Sequence, residues 1–249
     1  WQDFGDGTQS IPEQDNEVPD LLDETRWEME FLLAMQVPEG QPKAGMVHHK
    51  LHDETWAGMP MVPPTEVDND NSNMLLGTGR YVFEPSTAAT LNLAATAAQC
   101  ARIWTDFDPG FAERCLAAAE SAWRAASENP VIYAGRSPGS GGGNYDDNNV
   151  SDEFYWAAAE LYITTGKVEY RDYLLGSEHF AAIDAFDWGH TAPLGTLSLL
   201  TVANDLAVDQ HAALKTMLVN YADQMLKVQA QDGYAVLIDE DYPWGSNGL

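Results

Sequence analysis

"PSTAATLNLAATAAQCARIW", residues 85–104, is followed almost at once by "DFDPGFAERCLAAAESAWRAASEN", residues 106–129. The alanines give both stretches strong intrinsic helix preference. Ser86 or Thr87 suits the N-cap of the first helix, and Asp108-Pro109 opens the second. Two such helices joined by a short turn make a helical hairpin, and the rest of the chain repeats the theme. Leu21, Leu22, Trp27, Phe31, Leu32 and Met35 form a helical stripe, with Pro19 and acidic residues at its start. "SDEFYWAAAELYITTGK" predicts a helix with Ser151 as N-cap and Gly166 as its stop. "VEYRDYLLGSE", "HTAPLGTLSLLTVAND" and "VDQHAALKTMLVNYADQMLKVQAQ" predict three more, for about seven in all. "MVHHKLHDETW" reads as a short extended segment. Residues 57–83, rich in Pro, Gly, Asn and Asp, read as a long irregular loop. No βαβ alternation and no short repeat is visible, so the pattern predicts an all-α toroid.

The 249 residues suffice for one or two domains, and 45% hydrophobic content predicts a packed chain. Twelve basic residues stand against 39 acidic ones, a net charge of −27. That argues against a phosphate-binding face for nucleic acid and against attraction to anionic membranes. It suits a neutral partner such as a sugar polymer, or a saline habitat. No apolar run is long enough to span a bilayer. Cys100 and Cys115 lie equally far from the turn at Phe107–Asp108. They could meet across the hairpin as a disulfide; the other reading is two small buried thiols.

The loop "GGGNYDDNNVSDE", residues 141–153, crowds hard oxygen donors together: Asp146, Asp147, Asn148, Asn149, Ser151, Asp152 and Glu153. It lacks the EF-hand spacing, so two readings stand: a helix N-terminus capped and charged by its acids, and a calcium site. His48, His49 and His52 cluster in the extended segment, where neighbours point to opposite faces. They suit the polar wall of a cleft, a zinc site or ordinary structural histidines. Trp56, Tyr81, Tyr145, Trp188 and Trp244 fall in or beside irregular segments, where aromatic faces can stack on flat ligands such as sugar rings. Trp27, Phe31, Trp104, Trp123, Phe154 and Tyr162 fall on helices and are expected in the core. No nucleophile, phosphate-loop or dinucleotide motif is framed correctly.

Taken with "IPEQDNEVPDLLDETRWEMEFLLAMQVPEG", "GMVHHKLHDETWAGMP", "FDWGHTAPLGTLSL" and "YPWGSN", these stretches resemble, in order, family 9 glycoside hydrolases. The likeness is to the branch whose catalytic domain follows an immunoglobulin-like module, and it covers most of the chain except residues 65–82. It implies an (α/α)6 barrel, of which residues 1–249 would be a central portion lacking N-terminal and C-terminal parts. It implies a secreted enzyme that hydrolyses β-1,4-glucan with inversion, acting on cellulose or cello-oligosaccharides. Such chemistry needs one carboxylate to activate water and a second to protonate the leaving group. The family's base lies in an Asp-Ala-Gly-Asp motif and its acid near the domain's C-terminus. Neither maps onto this sequence, and Asp15, Glu17 and Glu153 do not replace them. The expected catalytic set within the chain is therefore empty, and a glucan-binding fragment without activity is the alternative reading.

The resemblance assigns Tyr145 and Trp244 to the substrate groove, with His48, His49 and Lys50 as further sugar contacts. It assigns Asp152 and Glu153 to a structural calcium; with Asn148 from the loop and Asp187, they form the expected ligand set. His190 stands where the family carries an acid, and imidazole is a poor calcium ligand. A partial toroid leaves apolar edges open. At about 25 cal/mol per Å², 400 Å² left uncovered forfeits on the order of 10 kcal/mol. The chain is thus expected to associate with the missing parts of the domain or with a second copy.

Overall fold

The structure, a computed structural model, describes residues 4–55, 78–136, 143–183, 186–187 and 189–237, the side chains of 54–55 and 78–80 aside. The chain divides into two compact units, Trp1–Val150 and Ser151–Leu249. Seven α-helices stand among the described residues, with two small antiparallel sheets.

In the first unit, α1 spans Asp20–Ala34, α2 Thr87–Trp104 and α3 Pro109–Glu128. The caps are those the sequence predicts. Ser86 Oγ accepts from Ala89 N at 3.2 Å, and Asp108 Oδ1 accepts from Phe111 N at 3.0 Å. Between α2 and α3 the buried residues are mostly alanines: Ala94, Ala97, Ala98 and Ala101 against Ala118, Ala119, Ala122 and Ala126. Small side chains let two helices approach closely while losing little side-chain entropy. The segment after α3 returns to the start of α2, where Thr87 Oγ1 donates to Asn129 O at 2.6 Å and accepts from Ile132 N at 3.0 Å.

The strands β1 (Val47–His48), β2 (Leu51–Thr55), β3 (Thr78–Val82) and β4 (Pro85–Ser86) form one ladder in two pieces. Val47 pairs with Ser86 and His48 with Pro85, while Leu51 pairs with Val82 and Thr55 with Thr78. Hydrogen bonds from His49 N to Glu84 O and from Phe83 N to Lys50 O join the pieces. This corrects the reading of 57–83 as wholly irregular: β3 is a strand because residues 51–55 supply its partner. Buried Thr90 anchors the ladder to α2, its Oγ1 accepting from Val47 N at 2.9 Å and donating to Ser86 O at 2.6 Å.

A second correction concerns α1. Trp27 is 78% exposed and Phe31 43%, whereas Leu22 and Met29 are buried. Leu22 and Met29 occupy one side of the helix; Asp20, Trp27 and Phe31 occupy the other. Among the described residues, that other side is covered at its first turn. There Asp20 accepts from Gly7 N, Thr8 Oγ1 and Gln9 N, and Asp23 accepts from Asn16 Nδ2. Two turns further on Trp27 has no such cover. Of the other helical aromatics, Trp104, Phe154 and Tyr162 are buried as expected, and Trp123 is half-buried.

The second unit holds α4 (Ser151–Thr165), α5 (Val168–Gly176), α6 (Ala192–Thr201) and α7 (Val208–Gln231). Helix α4 is buried nearly all round, and Gly195 of α6 lies against its backbone. A Cβ at 195 would meet Trp156 Cα at 3.1 Å. Polar contacts fix the register. Buried Glu160 accepts from Ser198 Oγ at 2.6 Å and from Trp156 Nε1 at 3.2 Å. The Tyr155 hydroxyl meets Thr196 Oγ1 at 3.0 Å, and burial pushes its pKa up to about 12. Helix α7 differs: Leu214 is its one buried residue, and Val208 and Leu226 are exposed.

Candidate substrate-binding surface

The end of β1, residues Lys50 and His49, and the loop 143–145 meet in the first unit. His49 Nδ1 lies 3.0 Å from Ser86 Oγ and its Nε2 lies 3.1 Å from Asn144 O. A carbonyl accepts only, so Nε2 carries the proton and Nδ1 accepts from the serine hydroxyl. Ser86 thus accepts from the α2 amide and donates to His49 at once. Burial holds the imidazole pKa below its ordinary value; the Asn144 carbonyl opposes this and Lys50 adds to it. His49 is a neutral, oriented clamp on the loop.

Lys50 is a second clamp. Its ammonium donates to the carbonyl of Gly143 and, at 3.4 Å, to that of Asn144. It lies 5.1 Å from the ring centre of Phe83 and 5.7 Å from that of Tyr145, a cation–π arrangement on both. Burial lowers its pKa, against the pull of Asp146.

The loop so held places Tyr145 in the left-handed region at φ 50°, with the residue 52% exposed. A bulky residue adopts that backbone at a cost of roughly 1–2 kcal/mol, which the clamps offset. The Tyr145 ring folds back close to Gly143, where a Cβ would lie 3.0 Å from it. Beside His49, a groove of ≈ 510 Å³ is walled by Tyr81, Phe83, Tyr133 and Arg136. Aromatic walls with a few polar groups suit a flat, hydroxylated ligand.

The structure therefore brings together His49, Lys50 and Tyr145, as the sequence reading grouped them. It turns the polar atoms of the first two toward the protein's own carbonyls and the Ser86 hydroxyl. His48 points elsewhere, its Nδ1 2.6 Å from Phe83 O. His52 stacks on Phe83, ring centres 4.3 Å apart. The zinc reading of the histidines finds no support: among the described residues no group of three or more His, Cys, Asp and Glu is placed to hold a metal ion. Trp56, Trp188, Trp244, Gly141 and Gly142 lie outside the described residues. Ser86, Asn144, Tyr133 and Arg136 are parts of the surface that sequence reasoning passed over. Ser86 was legible only as a cap, and "VIYAGR" only as loop.

The expected calcium donors divide. Asp152 and Glu153 are buried in the first turn of α4, two adjacent hard carboxylates. Asp152 Oδ2 already accepts from Thr191 N at 2.7 Å and Thr191 Oγ1 at 3.3 Å. Asp187 is committed to its own turn. It accepts from Gly189 N at 2.7 Å, and its carboxylate oxygens lie 3.0 and 3.1 Å from His190 Nδ1. Asn148 is exposed on the loop. Asp152 and Glu153 have the donor chemistry of a calcium site, but among the described residues no third His, Cys, Asp or Glu joins them, and Asp187 is turned to His190 instead. Ser151, expected as the α4 cap, is the first helical residue, and its hydroxyl meets His179 Nε2 at 2.9 Å.

The comparisons with known proteins are specific: the model of Glycosyl hydrolase family 9 matches residues 1–249, and the chain belongs to that family. It is 44% identical to a Cellulose 1,4-beta-cellobiosidase of Acetivibrio thermocellus, over 99% of this chain and 30% of that protein. It is 46% identical to Endoglucanase C of Cellulomonas fimi, over 98% of this chain and 22% of that protein. Among solved structures, a Bacteroides ovatus GH9 protein superposes with a TM-score of 0.81 at 32% identity, covering 96% of this chain and 44% of that one. The fold class is the family's (α/α)6 barrel, of which the chain holds a portion. The chain spans 22–30% of the length of these two curated relatives.

Proposed function

We propose that residues 1–249 supply part of the substrate groove of an inverting β-1,4-glucan hydrolase of the endoglucanase kind. The observation that carries this reading is the double clamp of His49 and Lys50 on residues 143–144, which holds the exposed Tyr145, while His49 itself lines an aromatic groove. Family membership supports it, as does a net charge of −27, which suits a neutral polymer. In this reading Tyr145 stacks on a glucose ring, and Trp244 adds a second platform. His49 and Lys50 act as positioning residues that hold the loop. His48, whose Nδ1 is occupied by Phe83 O, lends only its edge. Water activation and leaving-group protonation fall to two carboxylates outside residues 1–249, since no Asp-Ala-Gly-Asp motif is present. An extracellular location belongs to the same proposal, because polymeric glucan is met there. Among the described residues no helix is long and apolar enough to cross a membrane.

Reducing-end release from carboxymethylcellulose tests the assignment. Residues 1–249 alone should release none, and activity from them would show that the catalytic carboxylates lie within the chain. The absence of the base motif also favours a second reading, a glucan-binding piece without hydrolysis. A longer polypeptide containing this chain that binds cello-oligosaccharides and never cleaves them would establish it. A calcium ion on Asp152 and Glu153 is a structural part of the proposal, and no chemical step depends on it. Chelation with EGTA should lower the thermal midpoint; an unchanged midpoint removes the ion from the account.

A further inference from the structure

The α2–α3 hairpin carries two cysteines on facing helices. Cys100 lies in the last turns of α2 and Cys115 in the second turn of α3, both buried. Their sulfurs are 2.9 Å apart. A disulfide bond is about 2.05 Å long, so the atoms need to close by only about 0.9 Å. The surrounding helix faces are lined with alanine, including Ala97, Ala101, Ala118 and Ala119, so little bulk resists that adjustment. We propose that Cys100 and Cys115 form a disulfide that locks the α2–α3 hairpin.

The chemistry needs an oxidant, and the class named is an external disulfide, such as oxidised glutathione. Cys100, at 8% exposure, is the sulfur such a molecule reaches first; Cys115 is fully buried. Exchange at Cys100 forms a mixed disulfide and releases one thiol, which takes the Cys100 proton. The Cys115 thiolate then attacks Cys100 Sγ. The new Sγ–Sγ bond forms, the external sulfur leaves with the electron pair, and it takes up the Cys115 proton. Two cysteine thiols are oxidised and one external disulfide is reduced to two thiols. Cys115 is suited to the second step. Its thiol is held below the ordinary range chiefly by the Cys100 S–H that donates to it; Arg114 and Arg26 act in the same direction against burial and Glu30. The two arginines remain in place when Cys100 carries the mixed disulfide.

The bond would close a short loop, from residue 100 to residue 115, around the turn of the hairpin. It restricts the unfolded chain and leaves the folded contacts as they are. The test treats the protein with oxidised glutathione, then denatures, alkylates and digests it with trypsin. The expected product joins peptides 81–102 and 115–124, with both cysteines protected from alkylation. The thermal midpoint of the oxidised protein should fall by about 5–10 °C on adding reductant. Cys100→Ala and Cys115→Ala proteins, whatever their own midpoints, should show no response to reductant. Complete alkylation of both cysteines after oxidation would overturn the proposal. A cross-link that leaves the midpoint unchanged by reductant would overturn its locking role.

Discussion

Ser86 shows how one side chain serves fold and site together. Its hydroxyl caps α2 and orients the His49 ring, which holds the loop that presents Tyr145. Ser86→Ala should cost about 1–2 kcal/mol from the lost cap and the deprived imidazole, read from urea unfolding. His49 adds a pH dependence whose sign follows from its environment. Burial lowers its folded pKa, so the unfolded chain takes up the proton first, near its ordinary value of about 6.5. Its contribution to stability is present above that pH and is lost as pH falls below it toward the folded value. Urea midpoints measured from about pH 7.5 down to 5 should therefore drop more steeply for the native chain than for His49→Gln. Parallel profiles would show that His49 is not the titrating group. None of this coupling was legible in the sequence. Ser86 reads as a cap and His49 as a groove residue, and nothing local reveals that one hydroxyl serves both.

Among the elements, the sequence read best where the signal was local. The starts of α2 and α3 fall within a residue of their predicted positions because caps, proline and alanine content are written in the nearest neighbours. Strand β3 was missed because its evidence is its partner: residues 78–82 are strand only through pairing with 51–55. Trp27 was misplaced because a helical period shows which residues share a side, not which side is covered. The close packing of α4 on α6 was equally hidden. Gly195 looks like an ordinary helix interruption, yet a Cβ there would meet Trp156 Cα at 3.1 Å and Ala159 Cβ at 3.2 Å. Backbone cannot yield as a side-chain tip can. Gly195→Val should destabilise the chain by about 1–3 kcal/mol despite valine's better helix propensity. A neutral or stabilising effect in thermal unfolding would mean that α4 and α6 sit further apart.

At the scale of the molecule, α1 and α7 each leave apolar residues uncovered: Trp27 and Phe31 on the first, Val208, Val219 and Leu226 on the second. We expect further helices of the same barrel, or a second copy of the chain, to cover them. Sedimentation of residues 1–249 should show self-association. A monodisperse monomer that unfolds cooperatively would show that these faces need no partner. The central claim, that the clamped loop presents Tyr145 to a glucan, is tested most directly by calorimetric titration with a cello-oligosaccharide. The account predicts that the chain binds it and that Tyr145→Ala weakens binding by roughly 1–3 kcal/mol, the range of aromatic stacking on a flat ring. Equal affinity for the native chain and Tyr145→Ala would contradict it.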